Sequence, residues 1–131
     1  MYRIVKKFHF SASHILDSLP PDHPCARLHG HNYTVEIELE SEKLNSNGFV
    51  VDYSDLNLFK KIIDSELDHR HLNDVIQGQP TAEIIAYYLF QRARKLWPEV
   101  SAVRVKETEK TMAEYRPFGL DYDRTQYKVQ I

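Results

Sequence analysis

The chain has 131 residues, 42% of them hydrophobic and 27% charged, with a formal net charge of −2; one soluble domain spanning residues 1–131 around a single core is expected. No basic run exceeds two residues, which argues against nucleic acid or an anionic membrane as the main partner. Charges interrupt the N-terminal MYRIVKKFHF where a signal peptide needs an apolar stretch, and no segment approaches the roughly 20 apolar residues of a membrane span, so a cytoplasmic location is expected.

Residues 2–14 alternate: Ile4, Phe8, Phe10, Ala12 and His14 share one parity, with Lys6 as its one break. Period two predicts a strand with one buried face. Leu16–Arg27 is irregular. Residues 33–40 alternate without fault, Tyr33, Val35, Ile37 and Leu39 against Thr34, Glu36, Glu38 and Glu40, which predicts a strand with one wet face. Asn47-Gly48 marks a turn. Residues 54–67 change to helical period through Leu56, Phe59, Ile62, Ile63 and Leu67. A second irregular stretch, His69–Gln79, leads to a second helix. Pro80 suits its first position, Glu83 its positive end, and Pro98 stops it. Residues 101–108 alternate again, with Val103, Val105 and Glu107 on one face, and 111–117 supply a partner strand. Gln126–Ile131 suggests a short last strand. This order predicts an α+β fold with two helices on one face of an antiparallel sheet. The other face then needs a cover, and assembly with further subunits is the simplest one.

The chain has seven histidines and a single cysteine, which excludes an intrachain disulfide. Cys25-Ala-Arg-Leu-His29-Gly-His31 is the segment richest in chemistry. In an extended segment His29 and His31 leave the same face, continuous with Tyr33 and Val35. His14 likewise ends the apolar parity of the first strand. Two adjacent strands would bring these three imidazoles to one rim, and three nitrogens leave a tetrahedral zinc one open position, as in catalytic sites. Gly30 is expected to leave room between the two ligands. Spacing leaves Cys25 open as a fourth ligand or as a reactive thiol with base or nucleophile duty. Asp68-His69 has the form of a carboxylate orienting an imidazole for acid–base work. Glu107 ends a buried face and needs a partner, either an arginine such as Arg104 or Arg116 or the fused N–H donors of a guanidine-like heterocycle.

Together these residues resemble the 6-pyruvoyltetrahydropterin and 6-carboxytetrahydropterin synthase family. The resemblance runs from Phe8 to about Arg116 and rests on five segments: Phe10-Ser-Ala-Ser-His14, Cys25-xxx-His29-Gly-His31, Leu67-Asp-His69 with Leu72-Asn-Asp74, Pro80-Thr-Ala-Glu83 and Val105-Lys-Glu107-Thr. It implies zinc on His14, His29 and His31, Cys25 as catalytic base, Asp68 and His69 as the rest of a proton relay, and Glu107 as the pterin anchor. Thr81 and Glu83 would line the pterin pocket. The substrate implied is 7,8-dihydroneopterin triphosphate, and Arg27, by charge and position, is a candidate for its phosphates. The three-residue gap between Cys25 and His29 looks like the 6-carboxytetrahydropterin branch, which serves queuosine and other 7-deazapurines; the pyruvoyl branch and a non-catalytic zinc-binding assembly module are the alternatives. The fold implied is the tunnelling fold, a four-stranded antiparallel sheet with two helices. Trimers of it close a barrel and stack as a homohexamer with active sites at subunit contacts.

Overall fold

The structure, a computed structural model, describes residues 1–117; the strand expected at Gln126–Ile131 lies outside them. Strands β1 (Tyr2–His14), β2 (His29–Ser41), β3 (Arg70–His71), β4 (Val100–Lys106) and β5 (Ala113–Tyr115) form one sheet in the order β3-β1-β2-β4-β5. Helices α1 (Asn57–Glu66) and α2 (Ala82–Leu96) sit between β2 and β3 and between β3 and β4. Among the described residues the sheet has one strand more than the four of the implied fold. The extra one, β3, is two residues long and runs parallel to β1 at Ala12 and Ser13. A two-residue strand carries no readable alternation, which is why the sequence shows no sign of it.

The registers explain the burial. β1 and β2 pair antiparallel from Tyr2↔Ser41 to His14↔His29, so Phe8 opposes Val35 and Phe10 opposes Tyr33 on one face. Val35 then pairs with Val105 and Ile37 with Val103. Both helices cover this face. Phe59 of α1 meets Phe8 edge-on at 5.4 Å, and Phe90 of α2 meets Tyr115 at 5.0 Å. Ile63, Leu67, Ile85, Ala86, Leu89 and Ala93 are fully buried there, and each large apolar side chain so removed from water stabilises the fold by about 1.5–3 kcal/mol. Lys6, the break in the apolar parity, lies over the Phe8 ring and donates from Nζ to Tyr53 O and Asn57 Oδ1, at 3.0 and 3.3 Å. Its stem packs while its ammonium holds the entry to α1.

The opposite face is an ion-pair network rather than a bare apolar surface in need of cover. Arg104 binds Glu36, Glu38 and Glu114 at 2.8, 3.1 and 2.8 Å, and Arg116 binds Glu38 at 2.8 Å. No described helix is long and apolar enough to cross a membrane.

Candidate metal centre and active site

The pairing of His14 with His29 and of Ala12 with His31 places three imidazoles at the end of the helix-covered face. One ring nitrogen from each of His14, His29 and His31 falls within 4.8 Å of the others. Two of the rings have fixed tautomers. His14 Nδ1–H donates to Pro80 O at 2.8 Å and His29 Nδ1–H donates to Arg27 O at 2.7 Å, because a carbonyl can only accept. In the neutral rings both Nε2 atoms are thereby left to ligate, and they lie 2.9 Å apart. His31 Nε2 is buried with no hydrogen-bond partner. Burial pushes the His31 pKa down, and His14 and His29 add to the effect while Glu107 opposes it. Three converging imidazole nitrogens, two of them on rings oriented by carbonyls, are what an imidazole-bound cation requires. The residues fit a metal ion.

Gly30 serves a different purpose from the one expected. It faces away from the imidazoles, and a Cβ there would meet Ala12 O at 3.2 Å, so the close approach is to the β1 backbone. Beneath the centre lies Tyr33, fully buried and stacked on Phe10 at 4.7 Å, with its hydroxyl 3.4 Å from His14 Nδ1. Burial, and then Glu107, push its pKa up.

Glu107 closes one side, its Oε2 3.9 Å from His31 Nε2. Arg104 and Arg116, its candidate protein partners, are both engaged on the far face with Glu36, Glu38 and Glu114. Cys25 is half-buried in a single 3-10 turn, Pro24–Ala26. Its carbonyl accepts from Leu16 N at 3.0 Å, and Leu16 is two residues beyond His14. The same turn leads to Arg27, whose carbonyl holds His29. The sulfur is not part of the three-nitrogen donor set.

Asp68 and His69 stand at the β1–β3 edge. Asp68 Oδ1 accepts from Ser11 N at 2.9 Å and Oδ2 holds His69 Nδ1 at 3.0 Å, while His69 N donates to Ser11 O at 2.6 Å. The bond from Ser11 N leads the effects that hold the Asp68 carboxyl below its usual range. His69 has φ 57°, a left-handed conformation uncommon for a non-glycine residue, and these three bonds hold it there. Its side chain is 83% exposed, so one chain does not enclose it.

Thr81, expected beside the pterin, is the N-cap of α2, its Oγ1 accepting from Ile84 N at 3.2 Å. Pro80 therefore precedes the cap instead of opening the helix. Glu83 is exposed in the first turn, and Arg27 is exposed beside His29. Asn73 was not singled out by chemistry, yet its amide grips Ile15 at both N and O, at 2.9 and 2.8 Å, and so fixes the backbone next to His14. The sequence signal for it is the Leu72-Asn-Asp74 segment. The Pro80 and Arg27 carbonyls leave no such signal, since every residue has one.

Sheet, helices and centre define an α+β protein of the tunnelling-fold class with three imidazoles able to hold a metal ion. A family profile described as 6-pyruvoyl tetrahydropterin synthase matches residues 3–117, and the chain belongs to that family. A Synechocystis relative named 6-carboxy-5,6,7,8-tetrahydropterin synthase is 34% identical over 124 residues, spanning 88% of this chain and 93% of its own. A Pyrococcus furiosus relative named dihydroneopterin monophosphate aldolase is 32% identical over 124 residues, spanning 92% and 96%. The solved structure of Caenorhabditis elegans 6-pyruvoyl tetrahydropterin synthase has a TM-score of 0.78 at 24% identity, over 88% and 94% of the two chains.

Proposed function

We propose that the chain is a zinc-dependent 6-carboxy-5,6,7,8-tetrahydropterin synthase. It would convert 7,8-dihydroneopterin triphosphate and water to 6-carboxytetrahydropterin, acetaldehyde and triphosphate, on the route to queuosine and other 7-deazapurines. The observation that carries the reading is the trio of converging imidazoles with Glu107 beside it, in a chain whose relatives include enzymes of that name. His14, His29 and His31 hold zinc, which when bound supplies Lewis acidity toward the hydroxyls of the substrate side chain. Glu107 accepts from the fused N–H donors of the pterin ring as a two-oxygen acceptor. The Cys25 thiolate removes a proton from the side chain carbon next to the ring. His69, oriented by Asp68, moves a second proton. Thr81 and Glu83 border the ring near Pro80, and Arg27, exposed beside His29, is a candidate for the phosphates by its charge and position.

The exposure of His69 fits a site completed between copies. So does the outer edge of β1, which no described strand pairs along Tyr2–Phe10. An open edge of that length invites another strand, and sheets joined edge to edge would close the barrel of a trimer, two of which stack as a hexamer. The setting is cytoplasmic, in keeping with the single thiol.

Incubation of the zinc-loaded protein with dihydroneopterin triphosphate, followed by mass analysis, tests this. Acetaldehyde and a 6-carboxy product are expected. A product keeping all side-chain carbons would instead establish the pyruvoyl branch. Turnover of the monophosphate by side-chain cleavage without phosphate loss would establish the activity named for the Pyrococcus relative.

A further inference from the structure

Beside the imidazole centre lies a cavity of about 440 Å³ that borders His31 and is walled by Ser11, Ser13, Asn32, His69, Arg70 and His71. Its polar lining is almost wholly donor. Arg70 is exposed and forms no ion pair among the described residues. His71 Nδ1 lies 3.0 Å from the Ser13 hydroxyl, and in the tautomer that accepts from it Nε2–H is left as a donor for a ligand. The Ser11 hydroxyl donates to Asn32 Oδ1 at 2.6 Å, which leaves the amide nitrogen of Asn32 as a further donor. No carboxylate lines the cavity. Asp68, next to His69, is committed to Ser11 N and His69, and Glu107 lies beyond His31, 3.9 Å from its Nε2. A second cavity, of about 490 Å³ between Lys7, His9 and Lys106, differs on this point: Glu109 lines it, and Glu36 lies 3.8 and 3.9 Å from the two lysines. Cations there are already matched.

We propose that the cavity at the β1–β3 edge is a phosphate site, with Arg70 and His71 as its anchors. A guanidinium, imidazole N–H groups and an amide N–H around a space without carboxylates select a phosphoryl or polyphosphoryl anion. That the anion is the substrate's triphosphate rests on the function proposed above; the anion site itself does not.

Calorimetric titration of the zinc-loaded protein with inorganic triphosphate tests it. Hydrogen bonds to charged groups are worth about 1.5–3 kcal/mol, so Arg70→Gln and His71→Phe are each expected to weaken binding by about tenfold or more. Lys106→Gln, in the second cavity, is the control and leaves binding within about twofold. Unchanged binding in Arg70→Gln, loss of binding in Arg27→Gln alone, or no binding to the unmodified protein overturns the site. The second arm uses dihydroneopterin triphosphate, for which Arg70→Gln is expected to raise KM far more than it lowers kcat. If inorganic triphosphate binds as described but the pterin ester is not consumed, the anion site stands and the pterin reading fails. If Arg70→Gln weakens inorganic triphosphate yet consumes the ester with an unchanged KM, the assignment of the cavity to the substrate's triphosphate is overturned and the pterin reading stands.

Discussion

His14 and His29 give their Nδ1–H groups to the Pro80 and Arg27 carbonyls, which turns both Nε2 atoms toward one another, 2.9 Å apart. A cation held there would be ligated by both. Metal bound to the native state alone stabilises it by about 2.7 kcal/mol at a hundredfold excess over Kd. Chelation is therefore expected to lower the melting temperature and zinc to restore it, while His31→Ala should respond to neither; calorimetric scans with and without chelator decide this. Cys25 makes a separate claim. Cys25→Ala should keep a full complement of zinc yet lose about 10²–10⁴ in turnover, the usual contribution of a general base. Normal turnover would remove Cys25 from the mechanism, and loss of zinc would make the sulfur a ligand. At this scale the side chains were legible. His29 and His31 share a strand face by spacing, and His14 ends the matching parity. The carbonyls that orient them were not, because backbone groups have no residue identity, and the partner of Glu107 could not be ruled on until Arg104 and Arg116 were seen engaged on the other face.

Strands β1 and β2 and the second half of β4 follow their alternation because one face packs against the helices and the other carries charge, though that second face is itself buried at Glu38 and Ala102. The helices are less legible at their ends. A 3-10 turn, Tyr53–Leu56, precedes α1, and the cap of α2 falls at Thr81 because a side-chain oxygen there satisfies Ile84 N, whereas Pro80 has no such group. Thr81→Ala should cost about 1 kcal/mol, measurable by urea unfolding, with metal content unchanged. Ile63→Ala should cost about 2–5 kcal/mol, since it empties a fully buried position beneath the sheet. A cost for Thr81→Ala equal to that of Ile63→Ala would mean that Thr81 does more than cap.

Across the whole molecule, the sheet carries apolar packing on one face and charge on the other. Glu38 is 1% exposed. Burial alone would raise its pKa, but hydrogen bonds from Arg116, Ser101 and Arg104 outweigh it and hold the carboxyl at about 2, below the usual 4.5. A lowered carboxylate stabilises the fold above its unfolded pKa and loses that contribution as pH falls, here from 4.5 toward about 2. Thermal melts of metal-free protein across that window should show stability falling with acid, and a shallower fall in Glu38→Ala. That variant should also lose about 1.5–3 kcal/mol at neutral pH, because Arg104 and Arg116 each lose one charged hydrogen-bond partner while keeping Glu36 and Glu114, and Glu114 and Glu40. The alternation of Glu36, Glu38 and Glu40 announced a polar face; Arg104 and Arg116, which answer Glu38 from 66 or more residues further along the chain, could not be assigned without the strand register.

X-ray absorption at the zinc edge of the purified, resting protein bears most directly on the centre. Three imidazole nitrogens and one light oxygen ligand at about 2.0–2.1 Å, with no sulfur shell, are expected. A sulfur at about 2.3 Å would make Cys25 a ligand and the site closed, and the proposed chemistry would lose its base.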